Sequence, residues 1–276
     1  MKTVVLLISI LFLQNVNSQS VNLILPDLIE LAKQRSLPVL CSDSSFNANE
    51  FKTGSGVLLG SKEQIYVLTC EHVIALKDSL NKTVRYLSDI YVNMNKFDST
   101  SQSIEMVVVH TNEEDDFALL GIKTSPKNLN AINQLDFDIL TPSNCLTTNK
   151  IEEGDPILYI GYPMMFGINK KNHPLSRTGI ISQLIPNSDF FLIDGFVQHG
   201  HSGSPVFKIQ YIHNSNQWTM KLIGITTSYP AELGRVLQKV KFKTKSGLNV
   251  ELNPGFTYVT SMNKIIPVLK NNLKMK

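Results

Sequence analysis

The chain has 276 residues, 42% of them hydrophobic, a length and composition that suit one large domain or two small domains with conventional cores. Its formal net charge is only +3, which argues against nucleic acid or an anionic membrane surface as a partner. The three cysteines cannot all pair within the chain and match no metal motif, so disulfides cannot be the main source of stability.

The first predicted element is an export signal at residues 1–18. Lys2 precedes an apolar stretch at 3–13, and Val16 and Ser18 are suitable residues before a cleavage site. This stretch is well short of the roughly 20 residues that a membrane-spanning helix needs. We therefore expect a secreted or periplasmic protein with no stable membrane insertion after signal cleavage, with an uncleaved anchor as the alternative.

Residues 19–45 are assigned to an N-terminal extension that contains a short helix at 26–35. Leu28 and Ala32 share one face of this helix, and Asp27 lies in its electropositive first turn.

Beyond the extension the sequence changes to short β-rich runs, separated by glycine, proline, asparagine, aspartate and serine. This pattern is typical of an antiparallel barrel or sandwich, and no helical segment separates the runs, as a parallel sheet would require. A polar stretch at 123–150 is expected to connect two halves of similar size. The predicted strands cover residues 56–59, 65–69, 90–94, 104–110, 117–122, 157–161, 179–184, 190–193, 204–209, 218–226 and 255–260.

The strongest chemical signal is the segment 200–207, which reads GHSGSPVF. A nucleophilic serine must lie at the tip of a tight turn, with backbone N–H groups free to face a developing oxyanion. Gly200 and Gly203 permit such a turn around Ser202, and Pro205 begins a strand behind it. Taken alone, the same pattern also fits an ordinary hairpin loop.

A serine hydroxyl also needs a base, and two further motifs supply candidates. The segment VLTCEHVI at 67–74 ends an apolar run near His72, and DDFALL at 115–120 places Asp116 at the start of another. A single histidine or a strand-end acid is more often structural. The order His, Asp, Ser, with each residue at the border of a β-run, is what indicates catalysis.

Together these motifs resemble the chymotrypsin superfamily, and more narrowly the bacterial branch that includes the HtrA proteases and the glutamyl endopeptidases. The likeness covers about residues 50–262 and extends to GDPI at 154–157, IGYP at 160–163, TGIIS at 178–182 and LIGIT at 222–226. The resemblance implies an all-β fold of two packed antiparallel six-stranded barrels, to which the residue pattern adds a short helix near each end of the mature chain.

The resemblance also implies the division of the chain. A peptidase domain is expected at 46–262, with barrel one at about 46–125, a crossover at about 126–150 and barrel two at about 151–262. Residues 263–276 would form a C-terminal helix, interrupted by Pro267, and a tail. Too few residues follow the barrels for the peptide-binding PDZ domain of the HtrA proteins, so none is expected.

The roles that the resemblance implies are those of a secreted serine endopeptidase that forms an acyl-enzyme with protein or peptide substrates. Ser202 would be the nucleophile, His72 the general base and Asp116 its orienting acid. The N–H groups of Gly200 and Ser202 would form the oxyanion hole. No cofactor or metal is implied. The alternative is a catalytically silent, protease-like module that binds peptides.

Neighbouring residues leave some alternatives open. Asp115 competes with Asp116, although the family pattern places the acid immediately before the Phe-Ala-Leu-Leu strand. Ser204 competes with Ser202, with a supporting role favoured. His199, His201 and His213 are weak evidence for a metal site.

The substrate pocket is the least determined feature. Its base is expected at Phe196, six residues before the nucleophile, and its wall at Thr226, Thr227 and Ser228. None of these residues is charged, so we expect small or apolar substrate side chains. His201 stands where digestive trypsins have the aspartate of their activation switch, so we expect no such switch. Activation by removal of a propeptide from about 19–45 is the alternative.

Overall fold

The computed structural model describes residues 24–43, 51–61, 63–94, 102–125, 139–163, 174–228 and 255–273. The predicted signal peptide and most of the predicted crossover therefore lie outside the described residues. The described α-helices are α1 (Leu25–Arg35), α2 (Glu71–Ile74) and α3 (Met262–Asn272), and the strands in chain order are β1 (Ser36–Ser42), β2 (Lys52–Gly60), β3 (Ile65–Thr69), β4 (Ala75–Lys77), β5 (Thr83–Tyr86), β6 (Asp89–Met94), β7 (Gln102–Asn112), β8 (Phe117–Ile122), β9 (Pro156–Gly161), β10 (Leu175–Leu184), β11 (Phe190–Asp194), β12 (Pro205–Ile212), β13 (Gln217–Thr226) and β14 (Phe256–Ser261).

Two closed barrels contain all but two of these strands. The first has the order β1-β2-β3-β8-β7-β6 and the second β10-β11-β14-β13-β12-β9, while β4 and β5 form a small separate sheet. Every pairing in both barrels is antiparallel. The predicted fold of two six-stranded barrels with a short helix near each end is confirmed.

Strand β1 was not among the predicted strands and lies in the stretch assigned to the N-terminal extension. It closes the first barrel by pairing with β2 on one side and β6 on the other. Pro38 obscured it, because proline cannot donate to a ladder and is rare inside paired strands. In the structure, the pairing with β6 begins only at Val39, so the proline lies where β1 is paired on one side.

The core joins the two barrels. Its larger cluster contains Leu28 of α1, Val57 of β2, Phe207 of β12 and Met262 of α3, all of them almost inaccessible to solvent. Polar contacts also cross between the barrels: the Tyr162 hydroxyl, for example, donates to the Ser36 carbonyl at 2.9 Å. Both halves of the site described below are therefore held by one continuous packing unit.

The C-terminal helix α3 runs through Pro267 and is capped by Ser261, whose side chain accepts a hydrogen bond from the Asn263 N–H. None of the helices in the described ranges is long and apolar enough to span a membrane.

Candidate active site

The site is built on the junction of the two barrels, and His72 enters it from α2, directly after β3. Two main-chain carbonyls, those of His72 and Ala75, accept hydrogen bonds from the Lys52 ammonium at 3.1 and 2.5 Å. These contacts hold a helix of only four residues, which has little intrinsic stability of its own.

Glu71, the residue before His72, holds α2 in place through two contacts in the protein interior. Its side chain is fully buried, accepts a hydrogen bond from the Thr83 hydroxyl at 2.6 Å and pairs with the Lys77 ammonium at 2.9 Å. A buried carboxylate requires such partners, and losing either would leave an uncompensated charge in the core.

Asp116 binds His72 at two points. Its Oδ2 lies 2.7 Å from His72 Nδ1, and its Oδ1 accepts the His72 backbone N–H at 3.0 Å. The aspartate adopts a left-handed conformation with φ of 49°, which turns the chain sharply before β8. A carboxylate can only accept here, so Nδ1 carries the proton and Nε2 is left as a proton acceptor.

The competing acid faces elsewhere. The Asp115 carboxylate accepts from the Asn112 amide at 2.8 Å, and its main chain is bonded to Asn112 and Thr260. Of the two neighbouring aspartates, Asp116 is therefore the one in contact with His72.

Cys70 lies beneath this pair, fully buried, with its thiol donating to the Thr226 carbonyl at 3.2 Å. The side-chain donor atoms of Cys70, His72 and Asp116 all lie within 4.8 Å of one another, a spacing that a metal could use. Burial, and then the nearby Asp116 charge, raise the pKa of the Cys70 thiol, which favours its protonated form.

The turn around Ser202 is shaped by two glycines with positive φ, Gly200 at 95° and Gly203 at 85°. Strand β2 of the first barrel holds this turn through one residue, Ser55. Its hydroxyl donates to the Gly200 carbonyl and its N–H to the Ser202 carbonyl, both at 2.7 Å. The second barrel contributes the Thr226 carbonyl, which accepts the Gly203 N–H at 2.7 Å.

The N–H groups of Gly200 and Ser202 donate to no acceptor among the described residues, whereas the intervening His201 N–H is bonded to Gln198. Two unpaired donors that flank the turn are what an oxyanion hole requires. The Ser202 hydroxyl itself donates to the Thr227 carbonyl at 3.3 Å, and in the described network it makes no hydrogen bond to His72.

His201 is fully buried behind the turn. Its Nδ1 accepts the Gln198 N–H at 3.2 Å, and burial, followed by the charge of Arg177, lowers its pKa to about 4. It is therefore neutral at physiological pH, which fits a supporting role and not that of a charged switch. Ser204 is also fully buried, unlike a serine that must meet a substrate.

The predicted pocket residues divide into two groups. Phe196 is 37% exposed and Ser228 is exposed, so both are accessible to a substrate. Thr226 and Thr227 are buried, and their hydroxyls donate to the carbonyls of His201 at 2.7 Å and of Tyr258 at 3.3 Å. The hydroxyls of both threonines are therefore satisfied by main-chain carbonyls, and the place of these residues in the pocket wall stays a prediction.

Sequence reasoning missed Ser55, Lys52 and Arg177. The glycine-rich segment around Ser55 signalled only a strand, and nothing in a single sequence shows that its hydroxyl reaches the second barrel. Arg177 precedes Phe196 by 19 positions and meets it only because β10 lies beside the loop that carries the phenylalanine.

Comparison with known proteins agrees with this geometry. Residues 54–211 match the model of the trypsin-like peptidase domain, a match that spans more than half of the chain and includes all three candidate catalytic residues. The chain belongs to the trypsin-like peptidase family.

Solved structures share the fold of this trypsin-like peptidase at low sequence identity. One is a serine endoprotease from Yersinia pestis, 19% identical, with a TM-score of 0.52; the match covers 89% of this chain and 65% of that one. Another is the active form of the Rv3671c protease from M. tuberculosis, 12% identical, with a TM-score of 0.53 over 90% of this chain and 85% of that one. The chain thus spans slightly under two thirds of the Yersinia protein. Curated protein sequences give no match.

Proposed function

We propose that the protein is a secreted serine endopeptidase that hydrolyses peptide bonds through Ser202, His72 and Asp116. The observation that supports this most is the contact between His72 and Asp116. A carboxylate 2.7 Å from Nδ1 leaves Nε2 free to act as a base. The predicted signal at 1–18 supports export.

In the proposed reaction, the Ser202 hydroxyl leaves the Thr227 carbonyl and donates to His72 Nε2. Its oxygen then bonds to the scissile carbonyl carbon while the proton passes to the imidazole, whose positive charge Asp116 stabilises. The imidazolium returns the proton to the departing amine, which leaves an acyl-enzyme. Water, deprotonated by the same histidine, then releases the acid and restores Ser202.

The negative charge that develops on the carbonyl oxygen is assigned to the N–H groups of Gly200 and Ser202. Each such donor is typically worth about 3 kcal/mol of transition-state stabilisation. The first barrel contributes indirectly, because both hydrogen bonds from Ser55 fix the carbonyls on the same turn.

The hydrogen bond from Ser202 to Thr227 favours one alternative, a silent peptide-binding module, because it leaves the hydroxyl away from its base. Hydrolysis of an unfolded protein substrate separates the two functions. We expect cleavage by the wild type and by Ser204→Ala, a matched control two residues away, and none by Ser202→Ala. A folded wild type that binds peptides without cleaving them would establish the silent module instead.

A further inference from the structure

Cys70 adds a third possible metal ligand to the pair formed by His72 and Asp116, and the proposed reaction does not use it. One donor atom from each of these side chains lies within 4.8 Å of the other two, and among the residues that the structure describes this is the one such group of three. Zinc binds thiolate, imidazole and carboxylate at about 2.0 to 2.3 Å, which holds the donor atoms of a tetrahedral site about 3.5 Å apart. Side-chain movements of about 1 Å would therefore enclose an ion.

The charges of the three side chains suit a divalent cation. A metal displaces the thiol proton, and the thiolate and the Asp116 carboxylate then balance two positive charges in a largely buried place. The adjacent carboxylate of Glu71 is paired with Lys77, so it leaves this balance unchanged. A thiolate together with an imidazole favours zinc over magnesium and calcium, which prefer oxygen ligands.

An ion can reach the cluster from solvent through two of its three members. The side chain of His72 is 36% exposed and that of Asp116 is 20% exposed, whereas Cys70 is fully buried. The ion would meet the imidazole and the carboxylate first, and the thiol would complete the site from beneath.

We propose that Cys70, His72 and Asp116 form an inhibitory zinc site. The ion would replace the proton that His72 Nδ1 now shares with Asp116, and the neutral ring would carry its proton on Nε2. Nε2 could then no longer accept the proton of Ser202, because its lone pair is occupied. Binding releases the thiol proton to solvent and consumes no other reactant. The inhibition rests on the proposed function, whereas the binding of the metal does not.

Metal binding is tested on the intact protein without any substrate. Co²⁺ coordinated by a thiolate gives a charge-transfer absorption band, which we expect in the wild type and which Zn²⁺ should remove by displacement. Cys70→Ser keeps a donor for the Thr226 carbonyl but replaces the thiolate with a poor zinc ligand. This variant should lack the band and bind Zn²⁺ at least about 10- to 100-fold more weakly in calorimetry, since even the loss of an outer partner of a zinc ligand costs that much.

The other two cysteines provide matched controls, because both are buried and free. Cys145 faces the Thr141 carbonyl, and Cys41 lies on β1 opposite Lys52. Cys145→Ser and Cys41→Ser should keep the band and the zinc affinity of the wild type. The absence of a cobalt–thiolate band in the wild type, or its persistence in a folded Cys70→Ser variant, would overturn the proposal.

Inhibition is measured as the Zn²⁺ concentration that halves peptide cleavage, relative to the rate of each variant without metal. We expect Cys70→Ser to need at least about tenfold more Zn²⁺ than the wild type. A chelator should restore the activity, and Mg²⁺ or Ca²⁺ at the same concentration should not inhibit. His199→Asn removes an exposed histidine near the nucleophile turn and should leave the inhibition unchanged. Equal inhibition of the wild type and Cys70→Ser, or inhibition that depends on His199, would contradict the assignment.

The two measurements separate this proposal from the proposed function. Thiolate coordination by a wild type that cleaves no peptide would support the metal site and refute the catalytic function. Cleavage by a wild type that shows no cobalt–thiolate band would refute only the metal site.

Discussion

Acid is expected to destabilise the fold through His201, the residue immediately before Ser202. The imidazole is fully buried, and burial, reinforced by the charge of Arg177, lowers its pKa from 6.5 to about 4. In the folded protein the ring therefore stays neutral under conditions in which the same ring in the unfolded chain takes up a proton.

The size of the effect follows from the two pKa values. As the pH falls from about 7.5 to about 4.5, the unfolded chain becomes protonated at this site and the folded chain mostly does not. The free energy of unfolding should then fall by about 2 to 3 kcal/mol, most of it below pH 6.5. Once the pH is below the folded pKa, both states are protonated and this group contributes no further loss.

Urea unfolding at pH 7.5 and 4.5 measures this loss. Other groups also titrate in this interval. The relevant quantity is therefore the loss of unfolding free energy in the wild type minus the loss in His201→Asn, for which we expect about 2 to 3 kcal/mol. His199→Asn, a change at an exposed histidine two residues away, should behave like the wild type. Equal losses in the wild type and in His201→Asn would refute the assignment of a buried neutral ring.

Three further outcomes are expected. Asp116→Asn should lower kcat/KM by about 10⁴-fold, measured on any cleaved peptide, because the amide no longer enforces the required tautomer; a loss below tenfold would contradict the role of this contact. Gly203→Ala should lower the free energy of unfolding in urea by about 3 kcal/mol or more, because the added Cβ would collide with a carbonyl oxygen of β2. Gly154→Ala has a similar positive φ but open space around it, and should lower the same free energy by only about 1 kcal/mol. Deletion of residues 1–45 removes β1 and should abolish the cooperative thermal transition that circular dichroism measures. Deletion of 1–18 should leave that transition intact. A cooperative transition in the protein without residues 1–45 would show that β1 is dispensable.

Much of the fold was accessible from the sequence because most strands are bordered by turn residues and carry buried β-branched or aromatic side chains. The first-barrel strand at Ile65–Thr69 and the second-barrel strand at Phe190–Asp194 were predicted almost to the residue. Strand β1 was missed because it contains Pro38, which the fold tolerates because residues 36–38 are paired with β2 only. The short β4 and β5 were missed as well, since three or four residues carry too little periodicity to detect.

The residues of the candidate site also fall into those that the sequence predicted and those that it could not predict. His72, Asp116 and Ser202 were found because each lies in a local motif, and motifs can be read along the chain. Ser55 and Arg177 could not be found, because their importance comes from contacts between distant segments: Ser55 meets a turn 145 residues away. Thr226 and Thr227 were expected in the pocket wall, and the sequence could not show that their hydroxyls donate to main-chain carbonyls that only the folded barrel brings within reach.

The most direct test of the central claim is to react the purified protein with a fluorophosphonate, which phosphonylates activated serines, and to map the modified residue by mass spectrometry. We predict a single adduct on Ser202, formed by the wild type and by Ser204→Ala and lost in Ser202→Ala and in a His72→Ala variant. An adduct on another serine, or the absence of any adduct on a folded wild type that melts cooperatively, would contradict the assignment of Ser202 as the nucleophile.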